Sequence, residues 1–167
     1  DHYGLDHETV QIGFKHIAEK MIQEDVLLGG EESGGIAIKD HIPERDGIWM
    51  GLVLFEFMAR SGKSLDDLIK EVYEIVGSFA FERTDLHINE EVKSSIINSC
   101  CNNKFNNFGN YIVERIEDLD GYKFFFNSSS WLMIRPSGTE PVLRLYAEAP
   151  NKEIALDILK EARSTIL

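Results

Sequence analysis

WLMIRPSGTEPVLRLYAEA, residues 131–149, decides the fold. Its flanks, WLMI (131–134) and VLRLYAEA (142–149), are short apolar runs that read as β-strands. In the second run Leu143, Leu145 and Ala147 alternate with Arg144, so Arg144 projects from the face opposite theirs. The joining loop, RPSGTEP (135–141), holds an arginine, two hydroxyls, a glycine and two prolines, more chemistry than a turn requires. Upstream, YIVERIEDLDGYKFFFN (111–127) reads as strand, turn at Asp120-Gly121 and strand, a hairpin signal. CNNKFNNFGN (101–110) reads as a loop. Asn89 is placed to cap a helix running to about Cys101, and SFAFERTDLHI (78–88) alternates like a strand. Downstream, Asn151 caps a last helix with Ala155, Ile158, Leu159, Ala162 and Ile166 on one face. Residues 79–167 therefore read β-α-β-β-β-β-α, an antiparallel sheet with helices on one face, an α+β unit.

Residues 1–78 read differently. TVQIGF (9–14) is a short strand or an extended lead-in, and KHIAEKMIQED (15–25) has helical spacing. VLLGG (26–30) reads as a short buried-type strand and GIAIK (35–39) as another. DGIWMGLVLFEFMARSG (46–62) reads as a helix ending at Ser61-Gly62. SLDDLIKEVYEIVG (64–77) opens with a Ser64/Asp67 capping box and carries Leu65, Leu68, Ile69, Val72 and Val76 as a stripe to bury. The pattern changes at Gly77, which predicts two domains, 1–77 and 78–167.

The chain has 167 residues, 43% of them apolar, enough for a core. It opens on Asp1 rather than Met, a sign of a piece excised from a longer protein that processing or tag removal gives equally. No run of 18 apolar residues and no signal-like start occurs, so a cytoplasmic protein with no membrane partner is expected. Cys100 and Cys101 are sequence neighbours, which predicts free thiols in a reducing compartment. The net charge of −12 argues against a nucleic-acid partner. With 7 basic and 16 acidic residues, 1–78 carries −9; with 10 and 13, 79–167 carries −3. An anionic ligand needs a local cationic site against that field.

RPSGTEP has the parts of such a site. Arg135 is a permanent cation with a planar fork suited to phosphate oxygens. Ser137 and Thr139 offer hydroxyls, Gly138 lets backbone approach a ligand, and the prolines stiffen both ends. Arg144 adds a second cation. The same spacing also suits a tight hairpin loop with a surface arginine. A second stretch, LLGGEESGG (27–35), puts carboxylates and a hydroxyl at a strand end, where they suit the hydroxyls of a sugar. It equally suits a glycine-rich turn with solvated acids. No P-loop is present, because Gly62-Lys63-Ser64 lacks the upstream glycine. The five histidines show no metal-ligand spacing.

GEESGG (30–35) and RPSGTEP, about a hundred residues apart, resemble the sugar-binding and phosphate-binding signatures of the α-D-phosphohexomutase superfamily. VQIGFKHIAEKM (10–21) and HIPERDGIW (41–49) look like its third domain. The chain most resembles the C-terminal portion of a bacterial-type phosphoglucomutase/phosphomannomutase: the end of domain 3, a partial α/β/α domain, followed by the whole two-layer domain 4. The resemblance implies a substrate-binding portion of an isomerase of carbohydrate metabolism, an intramolecular phosphotransferase that interconverts hexose 1-phosphate and hexose 6-phosphate through a bisphosphorylated sugar. Glu31 and Ser33 would bind sugar hydroxyls. Arg135, Ser137, Gly138 and Thr139, with Arg144, would hold the distal phosphate. Lys15 matches an active-site lysine, whose burial near phosphate would make it a clamp or a proton donor. Glu32 would orient the loop, and Arg45 and Asp46 would be structural, at a helix entry.

The family's serine loop (TASHNP-like) and magnesium loop (DGDxDR-like) do not occur here. The resemblance thus implies that Mg2+ is bound outside this portion, by missing N-terminal domains of the same chain, with glucose 1,6-bisphosphate as activator or intermediate. The portion alone is expected to be inactive. Gly35, where relatives carry histidine, and Glu32, where aminosugar mutases carry glutamine, lean toward glucose or mannose phosphate. Two other readings stand beside this one: a non-catalytic phosphosugar-binding module, and an interaction domain whose RPSGTEP is only a stiff hairpin.

Overall fold

A computed structural model of the chain describes residues 3–137 and 140–167. The chain divides into two compact units, Asp1–Val76 and Gly77–Leu167.

In the first unit Gly13 stands before helix α1 (Phe14–Gln23). TVQIGF forms no strand: Phe14 already belongs to the helix and is the one residue of it that is buried. Strands β1 (Leu28–Gly30) and β2 (Ile36–Ile38) pair antiparallel, with Gly29 opposite Ala37. A Cβ at Gly29 would sit 2.2 Å from Cγ2 of Ile17, so only glycine lets α1 lie against this ladder. Helix α2 (Gly47–Ser61) is capped by Asp46, whose Oδ1 accepts from the backbone N–H of Trp49 (2.9 Å) and Ile48 (3.1 Å). It ends where expected, at Ser61, with Gly62 left-handed at φ 68°. Helix α3 (Leu65–Val76) opens on the expected capping box: the Asp67 N–H donates to Ser64 Oγ, and the Ser64 N–H to Asp67 Oδ2, each at 3.2 Å.

These helices are well formed but not covered. Neither α2 nor α3 buries a residue. The stripe expected to be buried on α3 is open, with Leu65, Ile69, Val72 and Val76 all exposed, and Leu28 of the strand expected to be buried is exposed too. The periodicity is right; a covering layer for it is not found among the described residues.

The second unit holds the core. Strands β3 (Ala80–His87), β6 (Arg115–Glu117), β7 (Tyr122–Asn127), β8 (Ser130–Pro136) and β9 (Val142–Ala149) form one antiparallel sheet in the order β3-β9-β8-β7-β6. Helices α4 (Glu90–Cys101) and α5 (Lys152–Ile166) start at Asn89 and Asn151, whose side chains accept from Val92 N (2.8 Å) and Ile154 N (3.0 Å). Ile96 and Cys100 of α4 and Ala155, Ile158, Leu159 and Ala162 of α5 join Leu132, Ile134, Leu143 and Leu145 in one buried cluster. Each such Leu or Ile contributes roughly 1.5–3 kcal/mol by leaving water. Both cysteines are free, and burial pushes the Cys100 thiol up to about 12. The stretch 101–110, expected to be loop throughout, contributes a small ladder, β4 (Asn107–Phe108) with β5 (Tyr111–Ile112). Phe108 of that ladder is fully buried and meets Phe124 edge-on at 5.0 Å, which an Asn-rich segment does not advertise.

The mixed helices and antiparallel sheet fit the expected fold class. No described helix is long and apolar enough to cross a membrane.

Candidate functional site

The expected phosphate loop starts later than the sequence suggests. Arg135 and Pro136 belong to strand β8, not to the loop. In the register Arg135 lies directly opposite Arg144 of β9. Opposed residues of an antiparallel pair share a face, and it is the face away from Leu143 and Leu145, as the alternation predicts. Like charges placed directly opposite one another repel, and each guanidinium here has a carboxylate. Arg135 Nε donates to Asp120 Oδ1 at 3.1 Å, with both side chains about four-fifths buried. Arg144 Nη2 donates to Glu140 Oε2 at a long 3.4 Å. The Nε of Arg144 is buried and has no hydrogen-bond partner among the described residues. An unmet buried donor of this kind costs about 1–3 kcal/mol and would be relieved by an acceptor oxygen.

Asp120 arrives from the β6–β7 turn, where Gly121 has φ +86°. A Cβ on Gly121 would lie 2.7 Å from the carbonyl oxygen of Ile134 and 3.1 Å from Cα of Arg135. The turn therefore packs directly under the arginine. Ser137 is buried, and its N–H donates to Val142 O at 2.9 Å, closing the strand pair. Gly138 and Thr139 lie outside the described residues.

The expected sugar loop is in the first unit. Residues 31–35 form a tight turn: Glu31 N–H donates to Gly35 O (2.9 Å), Gly34 N–H to Glu31 O (3.0 Å), and Gly34 has φ +89°. Ser33 and Glu32 are exposed on it. Glu31 is not an open carboxylate. Its side chain is 12% exposed; Oε1 accepts from the Gly13 N–H (3.1 Å) and Oε2 from Arg45 Nη1 (3.3 Å). The Gly13 bond ties the start of α1 to the loop, so the Lys15 segment and the Glu31–Ser33 turn are brought side by side. Lys15 itself, expected to be buried if it acts as a clamp, is exposed on the first turn of α1. Arg45 is more than a helix entry. It grips Glu31 and lies over the Phe14 ring at 5.6 Å. Asp46, beside it, has its carboxyl held below the usual range by the Trp49 N–H first and then by the His41 ring, 3.0 Å away.

Among the described residues no group of three or more His, Cys, Asp or Glu side chains could hold a metal ion. A cleft of about 500 Å³ lined by Cys101, Phe105, Val113, Arg115, Ile116 and Tyr122 contains none of the expected site residues.

A family model described as phosphoglucomutase/phosphomannomutase, alpha/beta/alpha domain III, matches residues 1–76, and one described as the C-terminal domain of the same family matches 89–164. A phosphoglucosamine mutase of Limosilactobacillus fermentum is 31% identical over 152 residues, covering 91% of this chain and 29% of the relative. A phosphoglucomutase/phosphomannomutase of Thermococcus kodakarensis is 29% identical over 150 residues, covering 90% and 30%. A crystal structure of a Thermus thermophilus protein assigned as a phosphomannomutase matches 98% of this chain and 32% of its own, at 31% identity and a TM-score of 0.76. The chain thus spans about 30% of the length of the curated relatives named here. Two models of one family, side by side over most of the residues, agree with the two motifs and with the two units: the chain belongs to the phosphoglucomutase/phosphomannomutase family.

Proposed function

We propose that this chain supplies the substrate-binding C-terminal portion of a phosphohexomutase, which interconverts hexose 1-phosphate and hexose 6-phosphate through a bisphosphorylated sugar. The observation that carries the reading is the pair Arg135 and Arg144, opposed on adjacent strands at the mouth of RPSGTEP, with the Arg144 Nε lacking an acceptor among the described residues. Asp120 holds Arg135 through Nε, and the outer edge of the guanidinium is the one that suits a phosphate, end-on and bidentate. Ser137, Gly138 and Thr139 complete the cradle. Ser33, exposed on its turn, binds sugar hydroxyls, and Lys15 adds a cation at the same end of the first unit. Glu31 acts with them once its carboxylate is shared between Arg45 and the ligand. Binding of the non-reacting phosphate and of the ring hydroxyls orients a sugar that must react at both ends. The nucleophile and the magnesium site belong to other parts of the full-length protein.

An equilibrium titration with glucose 1-phosphate, mannose 1-phosphate and glucosamine 1-phosphate tests this, since relatives carry more than one of these names. Binding that inorganic phosphate displaces is expected, with no 6-phosphate formed in a coupled assay. A chain that binds none of the three contradicts the reading. Turnover above background, in a preparation free of host mutase, contradicts the placing of the nucleophile elsewhere.

A further inference from the structure

Pro136 and Pro141 stiffen RPSGTEP, and Val142 bonds it twice, its O accepting from the Ser137 N–H (2.9 Å) and its N–H donating to Glu140 O (2.7 Å). A side chain from another element reaches it. Lys93, on α4, donates from Nζ to the carbonyl oxygens of Ser137 (3.5 Å) and Glu140 (3.4 Å), and to Glu90 Oε1 (2.7 Å). The lysine side chain is only 12% exposed. An ammonium has three N–H donors, and three oxygens take them, so none remains for a ligand. The two carbonyls bracket the loop tip. A trans peptide is planar, so fixing a carbonyl oxygen fixes the plane to which it belongs. Ordering a loop before the ligand arrives removes that entropy from the cost of binding.

We propose that Lys93 is a positioning residue of the anion site, holding the backbone of Ser137 and Glu140 from α4 without touching the ligand. The inference rests on reading RPSGTEP as a phosphate site.

Amide-resolved NMR on the intact chain, with and without inorganic phosphate, tests the proposal. Lys93→Met keeps the stem and the helix propensity and removes the three donors. In the ligand-free state it should shift the amides of residues 137 and 140 and speed their hydrogen exchange, while the β9 core amides stay protected. Phosphate affinity should fall roughly ten-fold, the scale of ordering about one loop residue on binding. Lys93→Arg should restore most of both. Lys93→Gln, which retains a neutral donor, gives a second reading if the methionine variant does not fold. Loop amides and exchange in either neutral variant that superimpose on wild type overturn the proposal. Loop amides that respond to Lys93 in a chain whose wild type takes no phosphate leave the brace standing and bring down the phosphate reading instead.

Discussion

At the residue scale, Glu31, Arg135 and Arg144 are engaged with protein partners before any ligand arrives. Glu31 shows what this means for mutation. Its two oxygens satisfy the half-buried Gly13 N–H and the Arg45 guanidinium, so it holds α1, the 31–35 turn and the α2 entry together. Glu31→Ala should destabilise the first unit by about 1 kcal/mol, chiefly the half-buried Gly13 N–H left unmet, since the exposed Arg45 can turn to water, and leave inorganic phosphate affinity unchanged. Thermal melts alongside a phosphate titration check both halves. A stability loss accompanied by lost phosphate binding would mean that the two loops are not independent. The residue types of this site were legible in the sequence because carboxylate, hydroxyl and arginine chemistry is local. Their partners were not. Asp120 lies fifteen positions from Arg135, and Lys93 lies 44 and 47 positions from the carbonyls it binds. On its helix Lys93 reads only as an i,i+3 partner of Glu90, and no sequence signal distinguishes it from any solvated lysine.

At the element scale, periodicity and caps give the helices, because both depend on residues within one turn. Asn89, Asn151 and the Ser64/Asp67 box all sit where they cap. Strand ends were less legible. Arg135-Pro136 has loop composition, but the β9 partners Arg144 and Leu143 extend the ladder across it. The β6–β7 turn makes the sharpest prediction. Gly121→Ala must adopt φ near +86° and drive a methyl to 2.7 Å from Ile134 O, a backbone atom that cannot swing aside. Left-handed strain alone costs about 1–3 kcal/mol, and the clash adds to it while moving Asp120 off Arg135. Chemical denaturation should show a clear fall in midpoint, and phosphate affinity should weaken with it. A variant of wild-type stability would show that the turn relaxes freely.

At the scale of the whole molecule, the two units differ in what they bury. The buried cluster lies entirely in Gly77–Leu167, while Phe14 and Ala37 are the buried apolar residues described in Asp1–Val76. Ile48, Leu52, Phe55 and Phe57 of α2 and Val72 and Val76 of α3 stay exposed, so these helices take little apolar surface out of water. Residues 77–167 expressed alone should therefore melt cooperatively, and residues 1–76 alone should not; the reverse order would contradict this account of where stability resides. The central claim is that the opposed arginines and the loop between them form a phosphate site. Its most direct test is an amide-resolved titration of the intact chain with inorganic phosphate, in wild type and in Arg135→Ala. The account predicts that the amides around residues 135–142 move on binding, that affinity falls with added salt, and that Arg135→Ala weakens it about ten- to a hundred-fold, as loss of a charged hydrogen-bonding group requires. An affinity unchanged by Arg135→Ala would contradict the claim and leave RPSGTEP a stiff hairpin.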